Sequence, residues 1–186
     1  MNTPKLTQAG TIQTVLGRIE PKNLGVTIMH EHVLSSLNAY RAKPETASDV
    51  AWVNAPVKFN NIGQMHLKKY INQTALELTD IDDAISEVNE FRISGGSSIV
   101  DTTSRGIGRD PRGLALVSRA TGTNIVMGSG YYVPLSYPEG TKSKTESELV
   151  NETVSDITEG VQDTGIKSGI IGEIGLIDPI DKMQES

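Results

Sequence analysis

Two histidines, His30 and His32, are the residues of this sequence whose type and spacing best suit chemistry. An apolar run, Gly25–Met29, leads into them and predicts a short buried strand that ends where they begin. Side chains two residues apart on a strand point to the same face, so both imidazoles can reach one metal ion. Zinc, for example, binds imidazole nitrogen at about 2.0–2.1 Å. An isolated His-x-His pair more often combines one core histidine and one loop histidine. The choice between a metal site and two structural histidines therefore depends on the rest of the sequence.

A carboxylate in a later apolar stretch is the second candidate ligand. Glu173 lies within the segment Gly169–Gly175, which otherwise consists of isoleucine and glycine. A buried carboxylate costs free energy unless it is paired or binds a cation. One interpretation is an ion pair with Arg105 or Arg109. The other is a bridge between two divalent metals about 3.5–4 Å apart, which we favour because the histidine pair is also present.

Three further residues follow predicted strands and are weaker candidates. Two roles are predicted for Asp101. It either supports catalysis indirectly, by accepting the second ring N–H of a ligating histidine and so orienting the ring, or it caps the turn that follows. Tyr131 and Tyr132 are predicted either to line a substrate pocket or to pack as aromatic residues. His66 fits the surface of a helix, and we assign it a structural role.

The elements that position these residues alternate along the chain. Apolar strands are predicted at about 26–30, 97–101, 123–128 and 168–175, and helices begin at Asp80, Asp110 and Thr145. This β-α-β-α-β-α-β order predicts parallel strands covered by helices. The pattern alone leaves a doubly wound sheet and a barrel fragment open, although no Gly-x-Gly-x-x-Gly motif follows the first strand. In a barrel, the residues at the four strand ends would converge on one site.

Two segments lie outside this alternation. Residues 11–19 predict a short β element, and residues 35–78 are too long for an ordinary connection between a strand and a helix. We expect the second segment to be a functional loop with short helices of its own.

Composition limits the partners of this chain of 186 residues. It has 17 Lys and Arg against 23 Asp and Glu, for a net charge of −6, and no basic patch, so nucleic acid is not expected as a partner. No apolar run approaches the roughly 20 residues that span a bilayer, so no membrane partner is expected. Without cysteine, a transition metal must use His, carboxylate or water ligands. A reducing compartment fits, and we expect a cytoplasmic protein.

Taken together, the motifs resemble the N-terminal half of a phosphotriesterase-family protein, in the phosphotriesterase-related branch of the amidohydrolase superfamily. The resemblance covers roughly residues 11–175. It rests on Thr14-Val-Leu-Gly17, Gly25-Val-Thr-Ile-Met-His-Glu-His32, Ile99-Val-Asp-Thr-Thr-Ser-Arg-Gly-Ile-Gly-Arg-Asp110, Val117-Ser-Arg-Ala-Thr-Gly122, Gly128-Ser-Gly-Tyr-Tyr132 and Gly169-Ile-Ile-Gly-Glu-Ile-Gly175.

The resemblance implies a fold and a metal centre. The family forms a (β/α)8 TIM barrel, so residues 1–186 are expected to form its N-terminal half, a partial barrel with about four parallel strands. It implies two divalent metals, usually zinc, per complete barrel. His30 and His32 correspond to the ligands on the first strand, and Glu173 replaces the carboxylated lysine that bridges the metals in the true phosphotriesterases. Tyr131 falls where the family places an aromatic pocket residue.

The implied activity is hydrolysis of an ester bond in a small-molecule phosphoester, carboxyl ester or lactone, through a metal-activated hydroxide. The family takes further ligands from strands five, six and eight, which this sequence lacks, so we expect a truncated chain that is inactive alone. One alternative is a non-catalytic metal-binding or self-associating half barrel, which would pair as a homodimer or with a missing C-terminal half. Another is a doubly wound binding domain whose histidines are incidental.

Overall fold

The computed structural model describes residues 10–180 as a mixed α/β arrangement built on a parallel sheet. Its strands are β1 (Ile12–Thr14), β2 (Gly17–Ile19), β3 (Thr27–Glu31), β4 (Ser35–Ser36), β5 (Glu77–Leu78), β6 (Ser98–Asp101) and β7 (Asn124–Met127). Its α-helices are α1 (Ala47–Trp52), α2 (Ile62–Leu67), α3 (Ile81–Ile93), α4 (Pro111–Thr121) and α5 (Glu146–Thr158). The central sheet has the order β3–β6–β7, all parallel, which confirms the predicted fold class.

The three long helices begin where the sequence predicts. The carboxylates of Asp80 and Asp110 accept hydrogen bonds from first-turn N–H groups of α3 and α4, and Thr145 opens α5 in a capping box. Such caps satisfy backbone donors that have no partner inside the helix. Helix α5 ends at Thr158, seven residues before Gly165, the glycine that the sequence offers as a helix stop.

The main core lies between the sheet and helices α3 and α4. Ile99 on β6 and Ile125 on β7 point into it from the sheet, and Leu114 and Val117 meet them from α4. These four side chains are almost completely buried, which is the arrangement expected when a helix covers one face of a parallel sheet.

The predicted fourth strand, residues 168–175, is not a regular strand. It lies beside β7, where the Gly169 N–H donates to the Met127 carbonyl at 2.9 Å and the Gly172 N–H donates to the Ser129 carbonyl at 2.8 Å. No strand of residues 10–180 flanks it on the other side, so β7 alone imposes its register. The regular parallel sheet of the described chain therefore has three strands rather than four.

Several large apolar side chains beside the sheet are exposed, although Val100 on β6 and Val126 on β7 are buried. The side chain of Met29 on β3 is 68% exposed, and those of Ile171 and Ile174 are 64% and 56% exposed. Val150 and Val154 of α5 are exposed as well. The prediction of a buried first strand is wrong for β3, whose five residues are half-buried or exposed, because β3 lies at the edge of the described sheet and pairs with β6 alone.

Two accessory units flank the sheet. Strands β1 and β2 form an antiparallel hairpin, and the Val15 N–H joins it to the Ile125 carbonyl at 2.8 Å. Residues 35–78 form a lobe in which β4 pairs with β5 and which contains α1 and α2. His66 lies exposed on α2, in agreement with its structural assignment. Among the described residues, no helix combines the length and apolarity needed to cross a bilayer.

Candidate metal centre

The end of β3 contains an irregularity that affects where its side chains point. In the pairing with β6, Ile28 lies opposite Ile99 and Glu31 lies opposite Asp101, so β3 has one extra residue between these pairs. Such a bulge changes which face the following side chains point to, and bulges are frequent beside functional sites. His30 lies within this bulge, and His32 follows it.

The structure brings together the three residues predicted as metal ligands. The His30 Nε2 atom lies 3.1 Å from Glu173 Oε2, and the His32 Nε2 atom lies 3.3 Å from Glu173 Oε1. The two imidazole rings meet edge to face, with centroids 5.6 Å apart. One carboxylate thus faces both histidines, one oxygen for each.

His32 is oriented by Thr103 rather than by Asp101. Its Nδ1 atom lies 2.9 Å from the Thr103 hydroxyl, which leaves Nε2 to face Glu173. The carboxylate of Asp101 instead accepts hydrogen bonds from the backbone N–H groups of Val33 at 2.8 Å and Thr103 at 3.0 Å. Of the two roles considered for Asp101, these contacts fit the cap of the following turn rather than a hydrogen bond to a histidine ring. Burial raises the pKa of this carboxyl group, although both of these hydrogen bonds oppose the shift.

The arginines that offered an alternative partner for Glu173 are engaged elsewhere. Arg105 and Arg109 pair with Asp156 at 2.7 Å and 2.9 Å. Glu173 itself is held through its backbone, whose N–H donates to the Thr102 carbonyl at 2.9 Å. The arginine interpretation of Glu173 is not supported by this geometry.

The two tyrosines have different environments. Tyr131 is buried, and its hydroxyl donates to Glu152 rather than facing the three candidate ligands. Tyr40 lies close enough to both Tyr132 and Glu173 to interact with them electrostatically. Burial, followed by the proximity of Tyr132 and Glu173, raises the pKa of Tyr40. Sequence analysis missed Tyr40, because nothing in the 35–78 segment indicates which residue reaches the site.

The donor set fits a divalent transition metal. The ligand atoms of His30, His32 and Glu173 lie within 4.8 Å of one another. Donors that bind one ion at about 2.0–2.2 Å lie at most roughly 4.4 Å apart, so small movements suffice. Two imidazole nitrogens with one carboxylate are a usual ligand set for zinc. In ligating histidines, the second ring nitrogen has a fixed partner, which Thr103 supplies here for His32.

Comparison with known proteins then decides the family. The profile of the Phosphotriesterase family matches residues 10–185. The chain belongs to the phosphotriesterase family. This assignment confirms the resemblance seen in the sequence motifs, and the family uses binuclear divalent metal centres.

Individual relatives agree with this assignment. A phosphotriesterase-related protein of Nematostella vectensis is 35% identical over 180 residues, covering 95% of this chain and 51% of its own length. The N-acetyltaurine hydrolase of Xenopus tropicalis is 35% identical over 178 residues, with the same coverage of 95% and 51%. The chain therefore spans about half the length of the curated relatives it matches.

Solved structures show the same half-length correspondence. A resiniferatoxin-binding protein from Rhodobacter sphaeroides superposes with a TM-score of 0.89 at 36% identity, covering 95% of this chain and 49% of that one. The organophosphorus hydrolase from Deinococcus radiodurans gives a TM-score of 0.65 at 26% identity, with coverage of 100% and 49%.

Proposed function

We propose that this chain supplies part of the metal centre of a metal-dependent hydrolase, with His30, His32 and Glu173 as ligands. The observation that carries the proposal is the contact of one carboxylate, Glu173, with both imidazoles at 3.1 Å and 3.3 Å. Membership of a family of metal-dependent hydrolases supports it. From the family resemblance, we further propose two zinc ions per complete barrel, with ligands in addition to the three described here.

Each residue then has a role that its contacts suggest. His30 and His32 would offer their Nε2 atoms, and Glu173 would offer its carboxylate, to hold the metal. Thr103 would keep His32 in position, and Asp101 would hold the Thr103 backbone. A divalent metal at this site would act as a Lewis acid. It would also lower the pKa of a water molecule, so that hydroxide is available as the nucleophile at neutral pH.

We propose small-molecule esters as substrates, with carboxyl esters, lactones and phosphoesters as the classes to test. The names of the relatives add a fourth class, since hydrolysis of N-acetyltaurine cleaves an amide. Tyr40, which lies near Glu173, and Tyr132, which lies near Tyr40, would form part of the pocket wall. Tyr131 is a weaker pocket candidate, because its hydroxyl is bound to Glu152.

The ligand assignment can be tested with the chain of 186 residues. His30→Ala, His32→Ala and Glu173→Gln variants are dialysed against zinc, and bound zinc per chain is measured by mass spectrometry. His66→Ala is the matched control, because it removes the third histidine of the sequence, on α2. We expect the wild type and His66→Ala to retain zinc and the other variants to lose it. Equal zinc in all five proteins would refute the assignment.

Activity is a separate test. Wild-type protein is assayed with a carboxyl ester, a lactone, a phosphotriester and N-acetyltaurine, with and without zinc. Turnover that requires zinc and disappears in His30→Ala but not in His66→Ala would support a hydrolase formed by this chain. Zinc binding without turnover would favour the second candidate, a non-catalytic metal-binding half barrel. The apolar face exposed around Met29 also favours self-association in that case.

A further inference from the structure

We propose that Asp156 is a positioning residue for the metal centre. It holds the loops that fix the segment bearing Glu173. This inference rests on the proposed function of that centre. Asp156 lies on α5, and only 1% of its surface is exposed. It is not among the three candidate ligands, and its carboxylate contacts none of them.

The carboxylate of Asp156 binds two loops at once. Its Oδ1 atom accepts a hydrogen bond from Arg105 Nη2 at 2.7 Å. Its Oδ2 atom accepts from Arg109 Nη1 and from the Ser129 hydroxyl, each at 2.9 Å. Arg105 and Arg109 belong to the loop after β6, and Ser129 belongs to the loop after β7. Charge-assisted hydrogen bonds are short and directional, so this buried carboxylate fixes both loops relative to α5.

The loop after β7 passes this position on to Glu173. The Ser129 carbonyl accepts the N–H of Gly172, the residue before Glu173, at 2.8 Å. The carbonyl of Asp156 also accepts the N–H of Ser168 at 2.9 Å, at the start of the same segment. Asp156 therefore holds the segment directly at Ser168 and, through Ser129, at Gly172.

The loop after β6 connects Asp156 with the histidine side of the site. The Arg105 N–H donates to the Gly130 carbonyl at 3.1 Å, which ties this loop to the one after β7. Two residues before Arg105, the Thr103 hydroxyl lies 2.9 Å from His32 Nδ1. In the same loop, the Thr102 carbonyl accepts the Glu173 N–H at 2.9 Å. One buried carboxylate thus sets the loop that positions both His32 and Glu173.

The competing explanation is that Asp156 only stabilises the fold. A buried ion pair that loses one partner destabilises a protein wherever it lies, so loss of stability does not distinguish the two roles. The chain offers a matched control in Asp49, a buried carboxylate that pairs with Lys68 inside the 35–78 lobe. A positioning role requires that Asp156→Asn alter the metal centre more than Asp49→Asn does.

The first measurement uses metal-free protein of the full 186 residues and therefore does not depend on the proposed function. Hydrogen exchange of the Gly172 and Glu173 amides is compared with that of the Val100 amide in β6. We expect Asp156→Asn to speed exchange at Gly172 and Glu173 at least about 10-fold more than at Val100, and Asp49→Asn to leave this ratio unchanged. Equal acceleration of all three amides, or no acceleration, would overturn the proposal.

The second measurement is Co²⁺ affinity, read from the visible absorption of the bound ion. Loss of a residue that orients metal ligands without touching the metal typically weakens metal binding about 10- to 100-fold. We expect a loss of this size for Asp156→Asn but not for Asp49→Asn. Unchanged affinity in Asp156→Asn would contradict the positioning role. A wild type that binds no Co²⁺ would refute the proposed function instead, and the exchange data would still decide the role of Asp156.

A milder variant covers the case in which Asp156→Asn does not fold. Ser129→Ala removes one hydrogen bond to Asp156 and leaves all charges in place. We expect selective acceleration at Gly172 and Glu173, smaller than that predicted for Asp156→Asn. Exchange at these two amides identical to wild type in Ser129→Ala would overturn the proposal.

Discussion

At the scale of single residues, the Thr103 hydroxyl determines which nitrogen of His32 faces the candidate site. It lies 2.9 Å from Nδ1, and Nε2 lies 3.3 Å from Glu173. When Nε2 binds a metal, a neutral imidazole carries its proton on Nδ1 and can donate it to Thr103. His30 has no comparable partner among the described hydrogen bonds, and its side chain is 60% exposed. The two histidines therefore differ in how firmly they are held.

This difference can be tested at Thr103. Thr103→Val keeps the shape of the side chain but removes the hydroxyl, so we expect zinc affinity to fall about 10-fold. Thr103→Ser, which keeps the hydroxyl, should stay within about 3-fold of wild type. Competition with a chromogenic chelator gives both values. Equal affinity for the valine and serine variants would show that Thr103 does not orient His32.

At the scale of elements, the segment that bears Glu173 approaches β7 too closely for a side chain between them. A Cβ atom added to Gly128, directly after β7, would lie 2.2 Å from the Gly172 carbonyl oxygen. The glycine therefore permits the backbone contact that places Glu173 beside the histidines. Gly122, which ends α4 in the left-handed conformation at φ +68°, has nothing within 4 Å of such an atom.

Substitution of these two glycines separates site geometry from stability. We expect Gly128→Ala to displace the 168–175 segment and to abolish zinc binding. Gly122→Ala should cost about 1 kcal/mol in the free energy of unfolding, because alanine disfavours positive φ, and should leave zinc binding intact. Chemical denaturation and zinc analysis of both variants provide the measurements. Full zinc binding by Gly128→Ala would contradict this account of the segment.

The lobe of residues 35–78 is held by one ionic contact whose pH dependence can be predicted. Hydrogen bonds from Lys68 and Thr46 lower the pKa of Asp49 from 3.8 to about 2. Because the pKa in the folded state is the lower one, this contact stabilises the lobe fully above about pH 4, and its contribution is lost as the pH falls towards 2.

Trp52, the sole tryptophan, lies on α1 in this lobe and reports on it. We expect the fluorescence of the wild type to change between pH 4 and pH 2, and the Asp49→Asn variant to lose this transition and to be less stable at pH 7. Asp163→Asn is the control, since that carboxylate is 88% exposed and lies 3.7 Å from Arg112. An unchanged acid transition in Asp49→Asn would show that another carboxylate is responsible.

At the scale of the whole molecule, the large apolar side chains of Met29, Ile171 and Ile174 are each more than half exposed in the described residues 10–180. Exposed apolar patches and unpaired strand edges favour association. We expect the chain of 186 residues to self-associate and to bind a hydrophobic dye, and the double variant Met29→Gln and Ile174→Thr to do both less strongly. Light scattering after size exclusion measures the mass. A monodisperse wild-type monomer that binds no dye would refute this expectation.

The sequence by itself determined the elements whose signals are local. Asp80, Asp110 and Thr145 mark three helix starts, because a cap acts on backbone groups within the next three residues. The family motifs indicated the α/β barrel fold, and the spacing of His30 and His32 indicated a shared site. Irregular strands could not be predicted in this way. Two examples are the extra residue in β3 and the irregular hydrogen bonding of residues 168–175, and both depend on the neighbouring strands.

Only the tertiary structure decided which residues support the candidate site. Thr103 meets His32 across 71 residues of sequence, and Asp156 meets Arg105 across 51. Neither Thr103 nor Asp156 has a local pattern that distinguishes it from an ordinary loop or helix residue. Asp101, for which the sequence left a histidine contact and a turn cap open, binds backbone N–H groups. Such partners are set by how the strand ends pack together, and that packing involves contacts between residues far apart in the chain.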